Sequence, residues 1–191
     1  MKLISILSLF FLVIQLGHSQ KCIYLNETDE FIGRKTIVSK KYQLYDKSWK
    51  GDRCSVVFST RNDSLSNSND VFDIMHLKFN VTGSNIRHQG KGDKMFFIFE
   101  DGEKLEYLAI GKFTAKAEII TGLGAGTYYY VTSLIELDKP TINLFRTKKL
   151  KQVRIYYGGN NLAYKNIEVH KKAKKSFIEL ANCYYETRYN E

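Results

Sequence analysis

The chain is poor in the residues that build most recognisable sites: 191 residues hold one proline, one tryptophan, three cysteines and four histidines. One proline and 13 glycines exclude a collagen-like or proline-rich disordered chain. No two cysteines stand at C-x-x-C spacing, and H-x-H and H-E-x-x-H are both missing, so neither a zinc cage nor a zinc hydrolase has its ligands. His76, His88 and His170 each stand alone. There is no G-x-S-x-G turn, and the serines clustered between Arg61 and Asp70 have no base beside them. That polar stretch is oxygen-rich but lacks the D-x-D-x-D-G spacing of a calcium loop, and it reads as a solvated surface loop. Gly122, Gly124 and Gly126 precede a strand-like run and lack the Lys-Ser/Thr of a phosphate loop, so a turn is expected there. Glu100, Asp101, Glu103 and Glu106 sit around one turn, where carboxylates face water rather than converge across a cleft. No catalytic residue, metal or cofactor is expected.

Long apolar runs are equally scarce. Leu3 to Leu16 is one, too short for the ~20 residues of a membrane span. With Lys2 before it and Gly17-His18-Ser19 after it, it reads as a secretory signal peptide, residues 1–19, cut after Ser19. Lys21 immediately before Cys22 argues against lipidation of that cysteine. The expected product, residues 20–191, is a single β-rich globular domain that is periplasmic or secreted. In an oxidising compartment Cys22, Cys54 and Cys183 allow three single pairings. Cys22–Cys183 is preferred because it ties down both fraying ends, leaving Cys54 as a buried thiol in a strand.

What the chain has is alternation. Short runs rich in Val, Ile, Thr, Tyr and Phe, punctuated by Gly, Asn, Asp and Ser, predict strands near 35–45, 53–60, 71–82, 94–100, 104–111, 113–121, 127–137, 150–157 and 162–169. Asp101-Gly102 and Gly158-Gly159-Asn160-Asn161 predict hairpins. Asp138 before Lys139-Pro140 can cap a short helix reaching Thr147. Ala173, Phe177, Leu180, Ala181 and Tyr184 form one apolar stripe on a C-terminal helix, 170–185. The fold class expected is mainly β: an antiparallel sandwich or open barrel of about nine strands, with that helix docked on it. Tyr128, Tyr129, Tyr130, Tyr156 and Tyr157 fall in these strands, one set toward the core and the other outward.

Charge is lopsided. Residues 138–175 hold eleven lysines and arginines against Asp138 and Glu168, so this segment alone equals the formal +9 of the whole chain. Lys171, Lys172, Lys174 and Lys175 lie opposite the apolar stripe, and Lys148, Lys149, Lys151 and Arg154 precede them.

Lys21-Cys22-Ile23-Tyr24 with Asp29-Glu30-Phe31-Ile32-Gly33 after a signal peptide ending in Ser-Gln, and Leu150 to Ile155 leading through a hairpin to a lysine-rich helix with Cys183, resemble small uncharacterised exported proteins common in Bacteroidota. Ile32 stands where that pattern has Thr, and Cys54 is extra. The resemblance implies export and a β-rich fold, and no activity. In a bacterial envelope the sequons at Asn26, Asn62 and Asn80 would be idle.

Two functions fit these features. One is a non-enzymatic envelope or secreted protein whose basic C-terminal face meets an anionic surface, acidic glycan or protein partner, with nucleic acid not expected. The other is a barrel-like carrier of an apolar small ligand.

Overall fold

Period-2 alternation of buried and half-exposed residues carries most of the chain into strands, and the computed structural model describes residues 22–30, 35–47, 52–62, 71–121 and 125–190. Among these residues thirteen strands form: β1 Ile23–Thr28, β2 Lys35–Ser39, β3 Tyr42–Lys47, β4 Asp52–Asn62, β5 Val71–Asn80, β6 His88–Gln89, β7 Lys94–Phe99, β8 Lys104–Leu108, β9 Phe113–Thr114, β10 Lys116–Ile120, β11 Gly126–Leu137, β12 Leu150–Tyr157 and β13 Ala163–Glu168. Helix α1 spans Lys139–Thr147 and helix α2 spans Lys171–Tyr189. Residues 1–19, where a signal peptide is expected, residues 63–70 of the polar stretch and residues 122–124 lie outside the described residues.

A seven-stranded antiparallel sheet runs β1-β2-β4-β5-β11-β10, with β3 also paired to β4, and curls into a half-barrel. A four-stranded sheet runs β13-β12-β7-β8, and β6 with β9 makes a short third ribbon. The protein is therefore mainly β and antiparallel, with a docked C-terminal helix. Details depart from expectation. The single strand expected at 35–45 is two, and both lie along β4. Phe58 N–H donates to Ser39 Oγ at 2.9 Å and Ile37 N–H to Thr60 Oγ1 at 2.9 Å, so hydroxyls stand in where the β2–β4 ladder breaks. The expected 113–121 strand divides into β9 and β10, Arg61 and Asn62 extend β4 rather than open a loop, and α2 continues to Tyr189 instead of ending near 185.

Both predicted hairpins form. At the β7–β8 turn Gly102 has φ +89°, the left-handed region that glycine enters without cost. At the β12–β13 turn Gly158, Gly159, Asn160 and Asn161 all have positive φ. The fully buried carboxylate of Asp93 holds that turn: Oδ2 accepts from Gly90 N–H (2.7 Å) and Gly159 N–H (3.0 Å), and Oδ1 from Asn161 N–H (2.9 Å). Three backbone donors satisfy a charge that would otherwise be costly to bury.

The core lies between the two sheets and under the helices. Phe58 on β4 stacks on Phe177 and Tyr184 of α2, with centroids 5.9 and 5.4 Å away, and Phe145 of α1 reaches Phe97, Phe99 and Phe177. All five positions of the α2 stripe are buried. α1 starts as expected, with Asp138 Oδ1 accepting from Thr141 N–H at 2.9 Å. Buried Asp73 pins the end of α2 by accepting from Tyr184 O–H (2.7 Å), Arg188 Nε (3.1 Å) and Tyr189 O–H. Cys22 and Cys183 form a disulfide, Cα atoms 6.4 Å apart, tying the start of β1 to α2. Cys54 is a buried free thiol, and burial pushes its pKa up to about 12.

Candidate functional site

Each central strand of the large sheet sends alternate side chains to opposite faces. One set (Cys54, Val56, Phe58; Met75, Leu77, Phe79; Val131, Ile135) makes the core. The other (Ser55, Val57, Ser59; His76, Lys78; Thr132, Leu134) lines a trough on the open face of the half-barrel. Two cavities, about 360 and 630 Å³, meet over His76, Lys78 and Thr132. The smaller extends over β4 toward Val38 and Lys41, and the larger toward β9 and β10.

The β4–β5 register pairs Ser59 with Ile74 and Val57 with His76, so Ser59 and His76 meet on the diagonal of one face. Ser59 Oγ lies 2.7 Å from His76 Nε2. Burial lowers the pKa of His76, which favours the neutral imidazole. Asp73, three residues away, points into the core, as the odd spacing requires. Beyond His76, Lys78 bonds Glu118 across to β10 and lies 5.2 Å from the centroid of the Tyr130 ring. Lys112, Thr114, Lys116 and Glu118 line the far side at every second residue. Glu118 is the one carboxylate among the described lining residues, against Lys41, Lys78, Lys112 and Lys116.

Few of these residues stand out in the sequence. Ser59 is 17 positions from His76 and meets it only through strand register. The readable signal is that in β4 the phase holding Ser55, Val57 and Ser59 is more polar than the phase holding Cys54, Val56 and Phe58, so the two faces of one strand differ.

The basic residues of the C-terminal segment divide. Lys148 bonds Asp101 (2.6 Å) and Glu103, and Lys174 bonds Glu100 at 2.9 Å. The Lys174 bond, with Lys149 and Lys151 nearby, holds the Glu100 carboxyl below the usual range. The turn carboxylates thus oppose the basic segment. Lys171, Lys172 and Lys175 are exposed, with Lys175 3.7 Å from Glu179. Arg154 lies apart, on the outer face of the small sheet, donating to Asn166 Oδ1 at 2.7 Å and covering the Tyr164 ring. Tyr156 on that face contacts Phe96 and Tyr164, whereas Tyr157 enters the core. His88 lies on β6 and His170 precedes α2, so the three histidines stay apart, and no metal-ligand cluster exists among the described residues. No helix among the described residues is long and apolar enough to cross a membrane.

No protein family, curated protein or solved structure matches the chain.

Proposed function

We propose that this is an exported, non-enzymatic binding protein that holds a small molecule in the trough of its large sheet. The observation that carries the reading is the pair of contiguous cavities on one face of a sheet whose other face is filled. Their sizes fall in the range of small-molecule sites, about 300–1,000 Å³. This moves the carrier expected from the sequence: aromatic side chains of both helices and both sheets fill the space between the sheets, and the usable concavity lies outside it.

The Ser59–His76 pair supports binding better than catalysis. Ser59 is paired to Val38 of β2 and Ile74 of β5, and the neighbouring Phe58 N–H already donates to Ser39 Oγ, which counts against an oxyanion site beside the Ser59 hydroxyl. No carboxylate among the described residues bonds the His76 ring to orient it. Both groups remain as hydrogen-bond partners on the trough floor.

The test is uptake of 1-anilinonaphthalene-8-sulfonate, read as enhanced fluorescence, by the native protein and by Thr132→Trp, which fills the junction of the two cavities. Saturable enhancement that Thr132→Trp abolishes, with an unchanged circular dichroism spectrum, is expected. Equal enhancement in both proteins, or none in either, would overturn the reading.

A second reading rests on exposed Lys171, Lys172 and Lys175 at the start of α2: contact with an anionic envelope surface. Salt-sensitive retention on anionic vesicles, lost in a triple Lys→Gln variant, is its expected result.

A further inference from the structure

We infer that the trough takes an amphiphile with a single anionic head, the head lying at the β9–β10 side and the hydrocarbon chain across β4. This rests on the trough being a ligand site and assigns the ligand class.

Charge supplies the first argument. Four lysines line the two cavities, and Glu118 is already bonded to Lys78. Lys112 and Lys116 are both exposed and have no ion pair among the described residues. They stand four residues apart in an extended stretch, on the same side, with the Thr114 hydroxyl between them. Two ammonium groups flanking a hydroxyl make a cradle for a carboxylate or phosphate, and charge-assisted hydrogen bonds are the strong ones. A cationic ligand would meet the same lysines repulsively.

The two ends of the trough differ, which supplies the second argument. On the β4 side the cavity surface is mostly apolar, from Val38, Val57 and aliphatic stems, with Lys41 and Thr60 beside them and Ser55 and Ser59 almost fully buried. The Ser59 Oγ–His76 Nε2 bond satisfies one polar position of each group, so this wall is less polar than its residue types suggest. This is a place for methylene groups, each worth about 0.8 kcal/mol when buried. The β10 side, lined by Lys112, Thr114, Lys116 and Glu118 together with Phe113, Tyr130 and Leu134, is the more polar of the two. A free small anion would leave the β4 side empty, and an uncharged lipid would leave Lys112 and Lys116 without a partner.

The experiment is isothermal titration of the native protein, of Lys112→Gln/Lys116→Gln and of Thr132→Trp with decanoate, decyl phosphate, decanol and acetate. Both lysines are exposed, so the double variant is expected to keep the native circular dichroism spectrum and melting temperature. The inference predicts that decanoate or decyl phosphate binds at least about tenfold more tightly than decanol, and that acetate binds undetectably. The preference should vanish in the double lysine variant and shrink as salt rises. Whichever of the two anions is tighter identifies the head as carboxylate or phosphate. Equal binding of decanol and the anions, lost in Thr132→Trp, would overturn the anionic head while leaving a small-molecule trough in place. An unchanged preference in the double lysine variant would overturn the placement of the head. Absence of binding by all four compounds, or binding that Thr132→Trp leaves intact, would overturn both the inference and the trough as a site.

Discussion

The two faces of the large sheet are built from the same strands, one residue out of phase, and they do opposite work. Along β4, Cys54, Val56 and Phe58 face a sealed interior in which aromatic rings from two helices and a second sheet complete the packing. Ser55, Val57 and Ser59 face a trough. The closed face supplies cohesion. On the open face hydroxyls, an imidazole and lysines sit on a backbone that the closed face keeps rigid. A binding surface on central strands inherits the order of the core behind it, an advantage over a surface made of loops.

That contrast can be broken from either side. Phe58→Ala should cost the most, about 3–5 kcal/mol in denaturant unfolding, because it empties the contact of β4 with Phe177 and Tyr184. Asp73→Leu, also on the closed face, should cost about 3 kcal/mol, since it leaves Tyr184 O–H and Arg188 without their shared acceptor. Ser59→Ala, one residue from Phe58 but on the open face, should cost less than about 1 kcal/mol. A loss at Ser59 as large as that at Phe58 would mean that the open face is a second core.

The smallest effect is a pH dependence. Burial lowers the pKa of His76 in the folded protein, so the unfolded chain takes up the proton first as pH falls. Stability contributed by neutral His76 is therefore present above the ordinary histidine pKa of about 6.5 and declines below it, until the folded pKa is passed. His76→Gln should flatten that part of the stability profile between roughly pH 7 and 5. An unchanged profile in melts across this range would show that the imidazole is well solvated in the trough.

Local pattern made much of this fold legible. The hairpins at Asp101-Gly102 and Gly158 to Asn161, the cap at Asp138, the α2 stripe and the Cys22–Cys183 bridge are all written in short-range chemistry or chain position. Edge strand β1 was not, because Ile23–Thr28 is mostly exposed and its burial alternates only from Ile23 to Asn26. The division of 35–45 into β2 and β3 was hidden for another reason: each pairs with a different part of β4, and Ser39 and Thr60 hydroxyls replace ladder bonds between β2 and β4. The trough was hidden most completely. Ser59, His76, Lys116 and Thr132 come from four strands, and only the β4–β5–β11–β10 order puts them on one face. The basic segment was visible, but not its opposition by Glu100, Asp101 and Glu103 from the β7–β8 turn.

The Cys22–Cys183 bridge also decides how the protein answers to force. It joins points 161 residues apart in sequence whose Cα atoms are 6.4 Å apart. A pull applied to the chain outside the two cysteines passes from one to the other through a covalent bond, and strands β1 to β13 lie in a closed loop that carries no load. Tethered by its ends, the oxidised domain should lengthen under tension by almost nothing. The last turn of α2, beyond Cys183, bears load in either state, and reduction would extend that load to the rest of α2 and to the edge strand β1.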